Sequence, residues 1–109
     1  KIDFVRASKE DVLNQVVDDL TFAAQNLPGI TEAADGRVNS LVAYHYLTEA
    51  YLAMGKNVEA INAASTVIDD PNTDLMRSRF GSRANETPGD VFWDLFRKNN
   101  QNRSSGNTV

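Results

Sequence analysis

Apolar side chains recur every three to four residues near the start of the chain, which is the spacing of one face of an α-helix. The repeat follows Ser8, which has the spacing to Asp11 that a helix-capping pair requires. It stops at Pro28-Gly29, a pair that ends helices. The pattern therefore predicts a helix over residues 8–27. The positions on its apolar face are Leu13, Val16, Val17, Leu20, Ala24 and Leu27.

Two more helices are predicted with almost no connection between them. The first begins near Asn39 or Ser40, either of which can cap it, and ends at Gly55. The second covers about residues 57–69. Because so short a connection leaves no room for a crossover, residues 39–70 must form an antiparallel helical hairpin. The expected inner face of its second helix carries Ala60, Ile61, Ala64, Val67 and Ile68.

The order of large and small side chains in this hairpin is typical of a tetratricopeptide repeat, a helix–turn–helix unit of about 34 residues. Tyr44, Leu47 and Tyr51 supply the large face, while Ala60 and Ala64 allow the second helix to approach it closely. One such unit cannot cover its own apolar faces. We therefore predict an all-α fold, an α-solenoid scaffold of tetratricopeptide-like antiparallel hairpins. An ordinary helical hairpin is the alternative.

The helical periodicity fades in residues 71–109, which we expect to be irregular and loop-rich. Residues 81–90 have the composition of a loop. The apolar run over residues 91–96 predicts either a helical turn or a buried strand. Residues 99–107 contain no apolar side chain and predict a solvent loop or a surface that contacts a polar ligand. A small apolar cluster is expected from Leu75, Met76 and Phe80.

Composition excludes several classes of function. Lys and Arg number 11 against 15 Asp and Glu, and the net charge of −4 argues against a nucleic-acid binder. The chain has no cysteine, and its one histidine, His45, is predicted to be partly buried and hydrogen-bonded. Asp18-Asp19 and Asp69-Asp70 are neighbours that point about 100° apart on a helix, so neither is a catalytic pair. We predict no enzyme, no cofactor and no metal site.

Trp93 is the strongest candidate for a ligand contact because it lies beside a run of amide and guanidinium side chains. An aromatic ring covers the C–H face of a sugar, and such polar groups pair with its hydroxyls. The predicted site adds Arg97, Asn100, Asn102 and Arg103. In the alternative, Phe92, Trp93 and Phe96 anchor the loop to the helical body. That alternative is favoured for the two phenylalanines, and it is the more common role for a tryptophan in an apolar run.

The order of these segments resembles the SusD/RagB-type proteins, the glycan-binding outer-membrane lipoproteins of Bacteroidetes. The resemblance covers nearly all of the chain, and its last string is the most specific. The matching segments are S-K-E-D-V (8–12), V-V-D-D-L (16–20), L-P (27–28), G-R-V-N-S (36–40), Y-L-A-M-G (51–55), A-I-N-A-A-S-x-V-I (60–68), D-V-F-W-D-L-F-R (90–97) and N-Q-N-R-S-S-G-N (100–107).

The resemblance implies a longer, mostly helical parent protein in which residues 1–109 are one fragment of a larger domain. Such a protein sits at the cell outer membrane as a lid on a SusC-like TonB-dependent transporter. It captures oligosaccharides without cleaving them, and only a lipid anchor, expected outside this fragment, ties it to the membrane. The alternative function is a tetratricopeptide adaptor whose groove binds a protein partner through His45, Glu49 and Lys56.

Overall fold

The computed structural model describes residues 5–98 and Asn100, and the regular structure in this part of the chain is entirely helical. This confirms the all-α prediction. The stacking of hairpins into a solenoid remains a prediction. The helices are α1 (Lys9–Asn26), α2 (Ser40–Ala53), α3 (Asn57–Ile68) and α4 (Val91–Leu95). None of these helices combines the length and the hydropathy that crossing a bilayer requires.

The described residues divide into two compact units. The first, here called the helical unit, contains the described residues up to Ala33 together with Val38–Asp70, and so includes α1, α2 and α3. The second, the loop unit, contains Ala34–Arg37 and the described residues from Pro71 onward, with α4.

Local capping explains where α1 begins. The Ser8 hydroxyl accepts a hydrogen bond from the Asp11 backbone N–H at 3.0 Å, and the Asp11 carboxylate accepts one from the Ser8 N–H at 3.3 Å. Each side chain thus satisfies a backbone donor that the first helical turn leaves unpaired. The predicted helix over residues 8–27 is confirmed, with both end residues serving as caps.

The α2–α3 connection is also set by short-range chemistry. The Asn39 side chain accepts from the N–H groups of Leu41 and Val42 and starts α2. At the other end Gly55 adopts φ +72°, and the Lys56 N–H donates to the Tyr51 carbonyl at 2.9 Å. This is the helix-ending arrangement that favours glycine, because a Cβ is disfavoured at positive φ.

Helix α2 is the central element of the helical unit and packs against both α1 and α3. The buried cluster between them consists of Ala24, Ala43, Leu47 and Ala63. Tyr44 and Tyr51 are half-buried against it, as the repeat pattern predicts. Further apolar side chains surround the cluster, namely Val17, Leu20, Ala23 and Leu27.

The inner face of α3 differs from the predicted one. Ala60 and Ala63 are buried, whereas Ile61 and Ile68 are 64% and 75% exposed. Small side chains at the contact let α3 approach the tyrosines of α2, and a branched isoleucine there would hold the helices apart. The prediction was therefore wrong for both isoleucines and did not include Ala63.

Helix α4 is a helical turn, so the strand alternative for residues 91–96 is excluded. The Asp90 carboxylate caps it by accepting from the Trp93 N–H at 2.7 Å. Residues 81–90 form turns, as their composition predicts. The expected apolar cluster around Leu75 does not form, because Leu75 is 79% exposed while Met76 and Phe80 are half-buried.

Candidate functional site

An ion pair lies at the centre of the loop unit. The side chain of Asp94 is only 1% exposed and faces the guanidinium of Arg79. Arg79 Nε donates to Asp94 Oδ2, and Arg79 Nη2 donates to Asp94 Oδ1 at 3.1 Å. The Phe80 N–H also donates to Asp94 Oδ2 at 3.2 Å. This two-point contact fixes α4 against the segment that carries Arg79.

The same guanidinium holds the neighbouring loop. Arg79 Nη2 donates to the carbonyl of Arg83 at 2.8 Å, and Nη1 donates to the carbonyl of Glu86 at 3.1 Å. Gly89 is so close that a Cβ at this position would lie 2.8 Å from Arg79 Nη2. One side chain therefore connects the 81–90 loop to α4.

Both members of the pair are held in their charged forms. The hydrogen bond from Arg79 lowers the pKa of Asp94, an effect that outweighs the opposing desolvation and is reinforced by the Phe80 N–H. The hydrogen bond to Asp94 in turn raises the pKa of Arg79. Sequence analysis did not identify this pair, because its members are 15 residues apart and no local pattern connects them.

Asn100 is buried rather than presented at the surface. It is 4% exposed, and its Nδ2 donates to the carbonyls of Asp94 at 3.0 Å and Phe80 at 3.4 Å. Gly81 has φ +76°, and a Cβ there would overlap the Asn100 carboxamide. The Asn100 Oδ1 atom is buried without a hydrogen-bond partner. The side-chain amide of Asn100 thus connects the Phe80 segment to α4.

Trp93 and Arg97 are in contact at the surface. The Arg97 guanidinium carbon lies 4.3 Å from the centroid of the Trp93 ring, a cation–π geometry, and Trp93 is 42% exposed. The Nε of Arg97 is buried without a partner. The structure thus brings together two of the predicted site residues. Asn102 and Arg103, the other two predicted here besides Asn100, lie outside the described residues.

The two phenylalanines of this segment are exposed rather than buried. Phe92 and Phe96 are 69% and 65% exposed and contact each other edge to face, with ring centroids 4.9 Å apart. The prediction that they bury was wrong because Asp94 occupies the inner face of α4. Burying an ion pair there turns the aromatic side chains outward.

A cleft beside this surface is lined mostly by cations. It has a volume of about 330 Å³, and three of its four lining residues are positively charged. Arg83, half exposed, forms an ion pair with Glu86 at 3.4 Å. The lining residues are Ser82, Arg83, Arg97 and Lys98.

The helical unit presents a different kind of surface, an open groove of about 530 Å³ between α1 and α2. Leu13, Leu20 and Ala50 give it an apolar lining, and Asp19 and Glu49 give it acidic groups. Among the residues predicted for an adaptor groove, Glu49 lies here and Lys56 lines a separate cleft.

His45, also predicted for the adaptor groove, is at the surface. Its side chain is 62% exposed, and its Nε2 lies 3.6 Å from Glu49 Oε1. The expectation of a partly buried histidine was therefore wrong. His45 also meets the ring of Tyr46 edge to face.

These surfaces carry groups that can contact a ligand. The described residues contain no group of three histidine or carboxylate side chains that could hold a metal ion. Their exposed aromatic, guanidinium and amine groups suit stacking and charge-assisted hydrogen bonds. Comparisons of the chain with protein-family models, with curated proteins and with solved structures find no match in any of the three.

Proposed function

We propose that this chain takes part in non-enzymatic capture of oligosaccharides, as a SusD-like partner of a SusC-like TonB-dependent transporter at the cell outer membrane. The observation that carries the proposal is Trp93, a half-exposed aromatic ring beside the guanidinium of Arg97. The segment resemblance over residues 8–107 supplies the class of protein, including a lipid anchor outside this chain.

A saccharide offers one face of C–H groups and a rim of hydroxyls, and the Trp93 surface has a counterpart for each. The exposed part of the indole, which Arg97 does not cover, supplies an apolar area, and neighbouring guanidinium and amine groups donate hydrogen bonds to oxygen atoms. In this proposal the ligand is bound and handed on unchanged.

The Trp93 surface is held in place before a ligand arrives. Asp90 caps the short helix α4, and the Asp94–Arg79 pair fixes its inner side. A preorganised site loses less conformational entropy on binding than a mobile loop does. In this proposal the helical unit is the scaffold that faces the transporter.

Titration of the 109-residue chain with a panel of oligosaccharides tests the proposal, with Trp93 fluorescence and calorimetry as readouts. Since Trp93 is the one tryptophan of the chain, its fluorescence reports this surface alone. We expect Trp93→Ala to weaken binding at least tenfold, about 1.4 kcal/mol. Phe92→Ala is the matched control, because Phe92 lies on the same helix and is more exposed.

Two results would contradict the proposal. One is that no saccharide binds, and the other is that Trp93→Ala and Phe92→Ala weaken binding equally. If a peptide or a vitamin binds and its binding depends on Trp93, the Trp93 surface is a binding site but its ligand is not an oligosaccharide.

A protein-binding adaptor is the second candidate function, and the α1–α2 groove favours it. An apolar lining with acidic groups suits an amphipathic helix that carries Lys or Arg beside its apolar face. Basic amphipathic peptides should then bind the chain, and Leu13→Glu should abolish binding while Trp93→Ala leaves it unchanged. If Leu13→Glu has no effect, this function is excluded.

A further inference from the structure

The cleft beside α4 concentrates positive charge in a protein whose overall charge is negative. Arg83, Arg97 and Lys98 line it together with Ser82, while the chain as a whole carries a net charge of −4. Three cations around one small volume repel one another, and an anion bound among them relieves that repulsion.

The charge in the cleft is only partly neutralised. The Glu86 carboxylate pairs with Arg83, and both side chains of that pair are 52% exposed, so water screens the contact. Arg97 interacts with the face of Trp93, and its Nε is buried without a hydrogen-bond partner. The four residues that line the cleft include no carboxylate.

The backbone on both sides of the cleft is positioned by the Arg79–Asp94 ion pair. Arg79 binds the carbonyl of Arg83 on one side of the cleft, and through Asp94 it fixes α4, which leads into Arg97 and Lys98. The backbone of the two walls therefore has one common support, and a bound anion has only the cationic side chains to order.

We propose that this cleft binds the negatively charged group of an acidic saccharide, a carboxylate or a sulfate ester. The inference rests on the proposed function and narrows its ligand class. Arg97 belongs to both surfaces, since it lines the cleft and lies over the Trp93 ring. A sugar whose acid group enters the cleft is thereby brought beside the indole. The cleft volume of about 330 Å³ is large enough for one acidic monosaccharide unit of a longer glycan.

The test compares three tetrasaccharides of the same linkage, one of glucose, one of glucuronic acid and one of glucose 6-sulfate, with inorganic sulfate as a fourth probe. Calorimetry on the 109-residue chain at 50 and 200 mM NaCl supplies the affinities. We expect at least one acidic tetrasaccharide to bind about tenfold more tightly than the neutral one at the lower salt concentration. That advantage should shrink at the higher concentration, and the two acidic arms distinguish carboxylate from sulfate.

Charge-removing variants locate the site. Arg83→Gln and Lys98→Gln should each weaken binding of the acidic tetrasaccharide about fivefold and leave the neutral one unchanged. Lys56→Gln is the matched control, because it removes the same charge from the helical unit. Retention of Trp93 fluorescence in each variant shows that the loop unit is folded.

The possible outcomes separate this inference from the function it rests on. Equal affinity for neutral and acidic saccharides overturns the anion site and leaves saccharide capture standing. Binding of inorganic sulfate that depends on Arg83 and Lys98, without binding of any saccharide, supports an anion site and overturns saccharide capture. If Lys56→Gln reduces the preference for acidic saccharides as much as Lys98→Gln does, the anion is not bound in this cleft.

Discussion

The two units of the protein bury opposite kinds of side chain. Among the described residues, the buried apolar side chains all belong to the helical unit, whereas the buried polar ones, Asp94 and Asn100, both belong to the loop unit. Apolar burial is non-directional and tolerates small shifts, whereas a buried ion pair requires each partner in place. We therefore expect the loop unit to depend more heavily on single residues than the helical unit does.

The largest expected effect is that of Asp94→Ala on the loop unit. The change leaves the guanidinium of Arg79, 25% exposed, without its carboxylate and removes the acceptor of the Phe80 N–H. We expect the fixed environment of Trp93 to be lost, measured by near-ultraviolet circular dichroism and fluorescence. Asp74→Ala is the control, since the Asp74 side chain is 73% exposed and its contacts with Arg77 and with the Leu75 N–H lie at the surface. A native Trp93 spectrum in Asp94→Ala would show that the ion pair does not hold this unit.

In the helical unit the corresponding change is Leu47→Ala, which removes the largest side chain of the buried cluster. We expect it to lower the free energy of unfolding by about 2–5 kcal/mol, through lost apolar burial and the cavity that remains. Urea unfolding followed by far-ultraviolet circular dichroism measures it. Leu52→Ala, on the same helix but 58% exposed, should change the value by no more than about 0.5 kcal/mol. Equal effects of the two changes would contradict this core assignment.

Acid should weaken the loop unit through one identified group. The pKa of Asp94 is lowered in the folded protein by Arg79, so the unfolded chain takes up the proton first as the pH falls. The stabilisation by the ion pair is complete above the ordinary aspartate pKa of about 3.9, and it is lost as the pH falls through the lowered value. Denaturant titrations followed by Trp93 fluorescence between about pH 2 and pH 6 measure this loss.

The control for that experiment is Asp94→Asn, which cannot ionise. At neutral pH, the free energy of unfolding reported by Trp93 fluorescence should be lower for this variant than for the unaltered chain. It should also change less as the pH falls. If the variant and the unaltered chain show the same acid dependence, other carboxylates are responsible.

The smallest effect concerns the turn between α2 and α3. Gly55 has φ +72°, so Gly55→Ala should cost about 1 kcal/mol of stability through backbone strain alone, because open space surrounds the position. Gly29→Ala, also in open space but without positive φ, should be neutral or slightly stabilising. Thermal unfolding measures the stability of both variants. If Gly55→Ala is as stable as Gly29→Ala, the positive φ at position 55 causes no backbone strain.

Patterns within a few residues of one another predicted the helical unit well. The Ser8–Asp11 cap, the Asn39 cap and the Gly55 turn are each completed by backbone groups within five residues, so the sequence names both partners. Periodicity also placed Tyr44 and Tyr51 toward the core. It was less accurate for α3, where steric fit to α2 selected alanines over isoleucines.

The candidate site was predicted only in part for the same physical reason. Trp93 lies in α4 and Arg97 follows two residues after its end, so their closeness along the chain was enough to associate them. The sequence did not predict the Arg79–Asp94 ion pair that positions them, or the neighbouring cleft. The two members of that pair are 15 residues apart, and no local pattern connects them. An acidic side chain in an apolar run would ordinarily face water.

Helix positions, caps and the all-α class of this protein follow from interactions that close within one or two turns of chain, and the amino-acid order alone specifies them. The inward direction of Asp94, the outward direction of Phe92 and Phe96 and the grouping of three cations arise only when distant segments meet. A carboxylate can be buried when a guanidinium forms an ion pair with it. Only the tertiary structure brings that partner close to Asp94.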